Sequence, residues 1–225
     1  MKKYLIKNLA FVAICWATSV QGQTYTAIQT PAGTIGNQQL PDDQTQASGD
    51  DFDVNSPIAV YSLGVFDSGT NGISGTLVAR IYDRTTETSI ASISFSGTDG
   101  TLSGGFRFIN LTTPLVLPAG FEGVISAAYL GSPLEPDGNA REPGSISWTG
   151  DTGGGLISFV GEGRHSFEGT GDVYPDITDP SSNPINFASA SFTYSAVPEP
   201  GTGELIAFTM PILGLAMYAW RKTAR

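Results

Sequence analysis

A short acidic run has the spacing of a cation-binding loop. Asp67 is followed by Ser, Gly, Thr, Asn and Gly72, and oxygens at alternate positions of such a run can wrap calcium while glycine permits the turn. Gly69 stands at the third position, where an oxygen ligand is needed, and Val78 stands at the twelfth, where a calcium loop has a bidentate carboxylate. The run therefore favours a hairpin turn, with a calcium site as the alternative.

A second acidic set lies just before and within the start of a predicted strand. Its carboxylates could chelate calcium if the chain folds back on itself, but a segment so poor in apolar residues is more typical of a solvated surface loop. We predict the loop, and we expect no cofactor unless calcium binds at one of these two places. The set comprises Asp42, Asp43, Asp50, Asp51 and Asp53.

Groups suited to catalysis are scarce in this chain. Its one histidine, His165, alternates with Phe167 as a strand residue does, and no Gly-x-Ser-x-Gly turn supplies a nucleophile. Glycoside hydrolysis would need two carboxylates about 5 to 10 Å apart in a cleft. We predict that the protein is not an enzyme and assign no catalytic or metal-binding residue. The carboxylate pairs considered for hydrolysis are Glu162 with Glu168 and Asp172 with Asp176.

Trp148 and a run of three glycines are the remaining candidates for ligand contact. An exposed Trp148 could stack on a sugar ring, whereas Ile146 on the same face favours burial in the core. Gly153–Gly155 is not a phosphate loop, because no lysine follows and the next predicted element is a strand. We predict a tight turn at the glycines and keep Trp148 as a candidate sugar contact.

These candidates lie in a body with the composition of an all-β domain. The chain has 28 glycines and 14 prolines, which separate short runs of β-branched and aromatic residues. We predict an antiparallel β-sandwich of jelly-roll-like form, in which Leu77, Ala79 and Ile81 share one face of a strand. Strands are predicted at residues 24–29, 52–54, 58–66, 77–82, 90–95, 106–111, 115–117, 121–129, 146–148, 156–160 and 187–194.

Three segments of the body are predicted to be loops. Residues 30–50 contain little to bury, apart from a candidate short strand at residues 38–40. Residues 131–144 and 169–184 are the other two, and Pro175, Pro180 and Pro184 exclude a central strand from the last.

The charge of the body limits its partners. Of 21 acidic residues only Glu204 lies beyond Pro200, whereas six of the 11 basic residues lie in the two end segments, so residues 23–200 carry a net charge of −15. Nucleic acids and anionic membrane surfaces are therefore unsuitable partners, and divalent cations, basic proteins or neutral polysaccharides remain. The one cysteine, Cys15, precedes the body, so the body can form no disulfide.

The N-terminal segment has the three parts of a secretory signal peptide. Lys2, Lys3 and Lys7 precede an apolar stretch at residues 9–17, and small residues follow. We predict export through the Sec translocon with cleavage between Gly22 and Gln23.

The C-terminal segment is predicted to enter the membrane. Residues 205–220 carry no charge and would span roughly 24 Å as a helix, slightly less than the ~30 Å hydrocarbon core. Arg221, Lys222 and Arg225 follow and favour the cytoplasmic side. Pro198 and Pro200 hold the preceding peptide extended, so the body would lie outside with an accessible peptide next to the membrane.

This tail resembles a known sorting signal. Val197-Pro198-Glu199-Pro200, one short apolar helix and a terminal basic cluster look like the PEP-CTERM signal of exported proteins in Gram-negative bacteria. The resemblance implies recognition and processing by exosortase, an integral-membrane cysteine peptidase. A plain membrane anchor preceded by a proline-containing linker is the alternative.

The body has a second and less specific resemblance. The stretches at residues 52–67, 79–83 and 115–121 look like an uncharacterised β-sandwich domain that recurs in exported bacterial proteins, many with this tail. The resemblance implies the fold and carries no activity.

Four regions and one function follow from these interpretations. We predict a signal peptide at residues 1–22, a strand and acidic surface loop at 23–51, the sandwich at 52–196 and the sorting signal at 197–225. The expected function is structural or interaction-based, in an exported protein that is first membrane-anchored and then delivered to the cell envelope or extracellular biofilm matrix. A module that binds exopolysaccharide is the alternative hypothesis, and a glycoside hydrolase is the third.

Overall fold

The computed structural model describes residues 22–36, 47–129, 140–141, 148–166, 173–180 and 187–197. Within these ranges the chain forms strands, turns and one short 3-10 helix at Ser68–Thr70. The strands are β1 (Tyr25–Thr26), β2 (Ile28–Gln29), β3 (Ala47–Val54), β4 (Ile58–Phe66), β5 (Ile73–Asp83), β6 (Thr88–Gly97), β7 (Thr101–Ser103), β8 (Phe106–Leu117), β9 (Glu122–Tyr129), β10 (Ala140–Arg141), β11 (Thr149–Gly150), β12 (Ile157–Ser166), β13 (Ile177–Pro180), β14 (Phe187–Ala188) and β15 (Ala190–Ala196).

The strands form two main antiparallel sheets, consistent with the predicted sandwich. One sheet has the order β1-β15-β4-β8-β7 and the other β13-β12-β3-β9-β5-β6. Two smaller pairings join β10 to β14 and β11 to β2. The chain passes from one main sheet to the other after β3, β4, β6 and β8, so neighbouring strands in space are often distant in sequence. The all-β prediction is confirmed.

One hydrophobic core is shared by the two main sheets. Phe52 of β3 and Phe192 of β15 belong to different sheets, and their ring centroids lie 5.1 Å apart. Leu63, Ala79 and Ile81 are fully buried in the same cluster, as the alternation of side chains along strands predicts. This arrangement confirms the predicted shared face of Leu77, Ala79 and Ile81 in β5, and Phe95 of β6 is buried in the same cluster.

Several strands are longer than predicted. The predicted strand at residues 58–66 coincides with β4, but β3 begins at Ala47, inside the segment expected to be a surface loop. The two strands predicted at residues 106–111 and 115–117 are a single strand, β8. Pro114 is tolerated because the β4–β8 pairing skips from Asn110 to Leu115 across a bulge.

The connection between β4 and β5 is not the predicted hairpin. These strands belong to different sheets, so Asp67–Gly72 crosses one end of the core instead of joining paired neighbours. In the described part of residues 169–184, β13 pairs with β12 at the border of its sheet, which agrees with the exclusion of a central strand there.

The segment after β2 covers part of the five-stranded sheet. Thr30 donates its backbone N–H to the carbonyl of Gly104 at 2.8 Å, and a side chain on Gly105 would collide with the Thr30 hydroxyl. Phe66 and Phe106 of this sheet are buried and their rings meet edge to face at 5.8 Å.

No helix within the described ranges has the length and apolar character needed to cross a membrane. Residues 1–21 of the predicted signal peptide, the candidate strand at 38–40 and the predicted membrane helix at 205–220 lie outside those ranges.

Candidate functional site

The two ends of the described body lie next to each other. Tyr25 and Thr26 of β1 pair antiparallel with Tyr194 and Thr193 of β15. A side chain at Gly22 would meet the carbonyl oxygen of Ala196 and the Cβ of Ser195, each at 3.8 Å. The predicted cleavage point and the start of the predicted sorting motif are therefore at the same end of the body.

Val197 begins the sorting motif and is still attached to the sheets. Its backbone N–H donates to the carbonyl of Pro57 at 3.0 Å, directly after β15 ends at Ala196. Gln23 is exposed. Pro198, Glu199 and Pro200, together with the basic residues Arg221, Lys222 and Arg225, lie outside the described residues.

A polar groove of about 580 Å³ lies across the five-stranded sheet. Its floor is a row of directly paired residues from four strands, in which Thr26 faces Thr193, Thr193 faces Ser62, and Ser62 faces Asn110. Because Phe192 points into the core, its neighbour Thr193 points to the opposite face. The groove is therefore on the side of the sheet that is turned away from the core.

The groove is rich in hydroxyls and nearly free of charge. The hydroxyls of Ser62 and Thr193 are 2.5 Å apart and hydrogen-bonded. Asp99, on the turn before β7, is the one carboxylate among its lining residues, and its Oδ2 accepts hydrogen bonds from the backbone and side chain of Ser96, both at 3.1 Å. The arrangement can bind a neutral polyhydroxylated ligand by hydrogen bonds but offers no carboxylate pair among the residues that line it.

An aromatic ring forms one wall of the groove. The ring of Phe108 lies over Gly64, where an added Cβ would be 2.5 Å from the ring. Phe108 is 9 % exposed, so it offers an edge to a ligand instead of a broad stacking face.

Asp67 is held by an arginine. Its Oδ2 accepts a hydrogen bond from Nε of Arg107 at 2.6 Å, and its Oδ1 accepts one from the backbone N–H of Gly72 at 3.0 Å. Both side chains of the ion pair are nearly inaccessible. The carboxylate that would begin the alternative calcium loop is thus held inside the fold by Arg107.

The second acidic set is only partly as predicted. Asp50 and Asp51 are each 1 % exposed and lie in β3, so their assignment to a solvated loop is wrong. Asp50 accepts a hydrogen bond from the backbone N–H of Phe187 at 3.0 Å. Asp53 is 40 % exposed, and Asp42 and Asp43 lie outside the described residues. Within the described ranges, no three His, Cys, Asp or Glu residues are grouped to hold a metal ion.

Asp51 lies between two arginines, Arg164 of β12 and Arg84, which directly follows β5. Its Oδ1 accepts a hydrogen bond from Nε of Arg164 at 2.5 Å, and its Oδ2 is 3.2 Å from Nη1 of Arg84. Arg84 also binds Asp53 at 2.7 Å. Burial acts to lower the pKa of Arg84 and Arg164, but the pKa of both is raised overall because the carboxylates stabilise the charged form.

Tyr174 covers this cluster. The guanidinium carbon of Arg164 is 5.5 Å from the centroid of its ring, and Tyr82 meets the same ring edge to face at 5.4 Å. The Tyr82 hydroxyl donates to the carbonyl of Val173 at 2.9 Å. Burial raises the pKa of the Tyr174 hydroxyl, an effect that Arg164 opposes. The cluster therefore attaches Val173 and Tyr174 to the sheet.

The other candidate residues lie in a strand, beside the core and in a turn. His165 is a β12 residue, as predicted, and is buried with its ring 6.4 Å from that of Phe187. Trp148 is half-buried against the core cluster. The three glycines form the predicted turn, with Gly155 donating to the carbonyl of Thr152 at 3.1 Å. The proposed carboxylate pairs cannot be placed, because Glu168, Asp172 and the side chain of Glu162 lie outside the described part.

The groove was not found from the sequence. Its polar row is contributed by residues as far apart as Thr26 and Thr193, and each alone is an ordinary outward position on a strand. Comparison with protein-family models and with curated proteins gave no match to this chain. Functional inference therefore depends on the residues and their geometry.

Proposed function

We propose that this chain is an exported protein of the cell envelope or extracellular matrix with a structural or interaction role. Its tail would be a sorting signal processed by an exosortase-like peptidase. The observation that carries the proposal is the position of Gly22 beside Ser195 and Ala196. Both predicted membrane segments then leave the body at one end, so the body can remain outside while both are held in the inner membrane.

The attachment of Val197 supports a processing role for the tail. Because its N–H is bonded to Pro57, the described part of the body reaches the first residue of the motif. Pro198 and Pro200 favour an extended backbone after that point. The proposed peptidase would therefore meet a short extended peptide between the body and the bilayer, in which Glu199 is the charged residue of the motif.

The decisive test replaces Glu199 by alanine in cells that contain the peptidase. The change leaves the apolar length unaltered, so a plain anchor should behave as the wild type does. A sorting signal should leave an unprocessed form that keeps its C-terminal helix in the inner membrane. Glu204→Ala is the matched control, because it removes the same charge outside the motif.

Mass spectrometry of the recovered protein gives the result. We expect truncated chains from the wild type and Glu204→Ala, and chains ending at Arg225 from Glu199→Ala. Intact chains ending at Arg225 in all three would contradict the sorting proposal.

We propose that the sandwich has jelly-roll-like connectivity, which is supported by the repeated passage of the chain between sheets. The described residues offer no row of exposed aromatic rings, since Tyr61 is the one aromatic among the large exposed apolar side chains. This feature favours a structural or interaction role over stacking on sugars.

Binding of a neutral polysaccharide is the second candidate, and the hydroxyl-lined groove favours it. Asn110 is exposed at the groove and Thr112 is exposed further along the same strand. If the groove binds exopolysaccharide, Asn110→Ala should weaken retention on immobilised polysaccharide and Thr112→Ala should not. Equal retention of both variants and the wild type would remove the groove from consideration.

A further inference from the structure

The six-stranded sheet ends in a long strand whose outer side has no partner among the described residues. β6 pairs with β5 on one side and borders the sheet on the other. A border strand of ten residues presents a row of unpaired backbone N–H and C=O groups to any other strand that approaches.

The other borders of the two main sheets are short or interrupted. β1 has two residues and β7 has three. β13 has four residues and includes Asp179 and Pro180, and the part of β8 beyond β7 contains Pro114. Charge, proline and shortness all hinder strand addition. β6 lacks each of these features.

The sequence of β6 is uncharged throughout. Residues 88–97 read Thr-Ser-Ile-Ala-Ser-Ile-Ser-Phe-Ser-Gly, with no proline and no ionisable side chain, in a chain of net charge −10. Two copies of so acidic a chain repel each other wherever carboxylates meet. Along β6 they can approach at low electrostatic cost, whereas a basic partner would be drawn to the acidic surfaces.

The two faces of β6 also suit pairing with itself. Ala91 and Ile93 point toward the core but remain half-exposed, while Ser92 and Ser94 are exposed on the other face. Antiparallel pairing about a two-fold axis normal to the sheet keeps the two cores on the same side. It also places isoleucine near isoleucine and serine near serine.

We propose that β6 is a self-association edge, through which two copies of this chain join their six-stranded sheets into one continuous sheet. The pairing is antiparallel and isologous, so each copy contributes the same strand. The half-exposed Ala91 and Ile93 of each copy are covered in the process. The inference does not depend on the fate of the tail, because β6 lies in the body.

Sedimentation of the full chain in mild detergent tests the edge. We expect the wild type to change from monomer to dimer as concentration rises. Ser94→Lys places like charges across the pairing and should raise the dimer Kd by about tenfold or more. Thr112→Lys is the matched control, since it makes the same charge change at an exposed position of β8 and should leave the Kd unchanged.

A cross-linking experiment tests the geometry independently of stability. In a Cys15→Ser background, Ser92→Cys lies near the centre of β6 and should form a dimer with a short bifunctional thiol reagent. Thr112→Cys should not. The melting temperature of Ser94→Lys should match that of the wild type, which shows that loss of the dimer is not loss of the fold.

Three outcomes would overturn the proposal. These are a wild-type chain that stays monomeric at all concentrations, a dimer that is unaffected by Ser94→Lys, and equal cross-linking at positions 92 and 112. The second outcome would assign association to another surface, such as the predicted tail segment.

Discussion

The Asp51 carboxylate accepts a hydrogen bond at 2.5 Å from Arg164, a residue 113 positions away in the sequence. Arg84 approaches the other oxygen of the same carboxylate. Asp51 therefore joins β3 to β12 and to the end of β5, and Tyr174 closes over the cluster by contact with Arg164. The two arginines compensate the charge of the buried carboxylate. Removing the carboxylate would therefore leave both arginines without their shared opposite charge.

Replacing Asp51 by asparagine should destabilise the fold severely. The change keeps the shape but leaves Arg84 and Arg164 facing each other without the intervening negative charge. We expect a loss of about 3 to 5 kcal/mol in the free energy of unfolding, measured by equilibrium urea denaturation. Asp53→Asn, at a side chain 40 % exposed, should cost about 1 kcal/mol or less. Equal losses in the two variants would contradict the role given to Asp51.

Gly49 should tolerate no side chain. A Cβ there would overlap the carbonyl oxygen of Ile125 and lie 2.6 Å from the Cβ of Ser126, both on the neighbouring β9. We expect Gly49→Ala to cost about 3 kcal/mol or more, because β3 and β9 would have to separate. At Gly154 a Cβ would meet nothing within 4 Å, and φ is +72°, so Gly154→Ala should cost only about 1 to 2 kcal/mol. Thermal unfolding of both variants compares them directly.

Calcium should change the melting temperature little. Asp67 already binds Arg107 and the backbone of Gly72, so a cation would have to displace an arginine from a buried site. Ligand that binds the native state raises stability by mass action. A large rise in low-millimolar calcium that Asp67→Asn abolishes would contradict this assignment. If the melting temperature of Asp67→Asn still rises with calcium, the candidate ligands are Asp42 and Asp43.

Alkaline pH should weaken the fold partly through Tyr194. Burial raises the pKa of this hydroxyl, and nearby Asp151 and Tyr25 add to the effect. The unfolded chain therefore loses its tyrosine proton first, and the stabilisation is present below about pH 10 and declines as pH rises through and above that value.

The Tyr194→Phe variant isolates this contribution. It removes the hydrogen bond to the carbonyl of Asp151, which is 2.7 Å long, and should cost about 1 kcal/mol at about pH 8. Above about pH 10 its stability should fall less steeply with pH than that of the wild type. Parallel urea denaturation curves at several pH values provide the comparison, and an unchanged slope would show that other groups control alkaline unfolding.

The all-β class was predictable because short runs of strand-forming residues and the alternation of side chains along them are visible in the sequence. Runs of β-branched and aromatic residues identified β4, and alternation identified the shared face of Leu77, Ala79 and Ile81 in β5, since side chains on successive strand residues point to opposite faces whatever the neighbouring strand is. The start of β3 was missed because Ala-Ser-Gly-Asp-Asp has the composition of a loop. It becomes a buried strand only because Arg84, Arg164 and Phe187 supply partners for its carboxylates.

Composition and local periodicity establish the all-β class and the charge of the body, and they predict targeting segments at its two ends, because short stretches of sequence carry that information. The tertiary structure alone decided which carboxylates are buried, that Asp67 binds Arg107, that a polar row crosses four strands, and that β6 is a long uncharged border. Each of these depends on strand register between residues far apart in the chain, and register is fixed by cross-strand packing that no local pattern encodes.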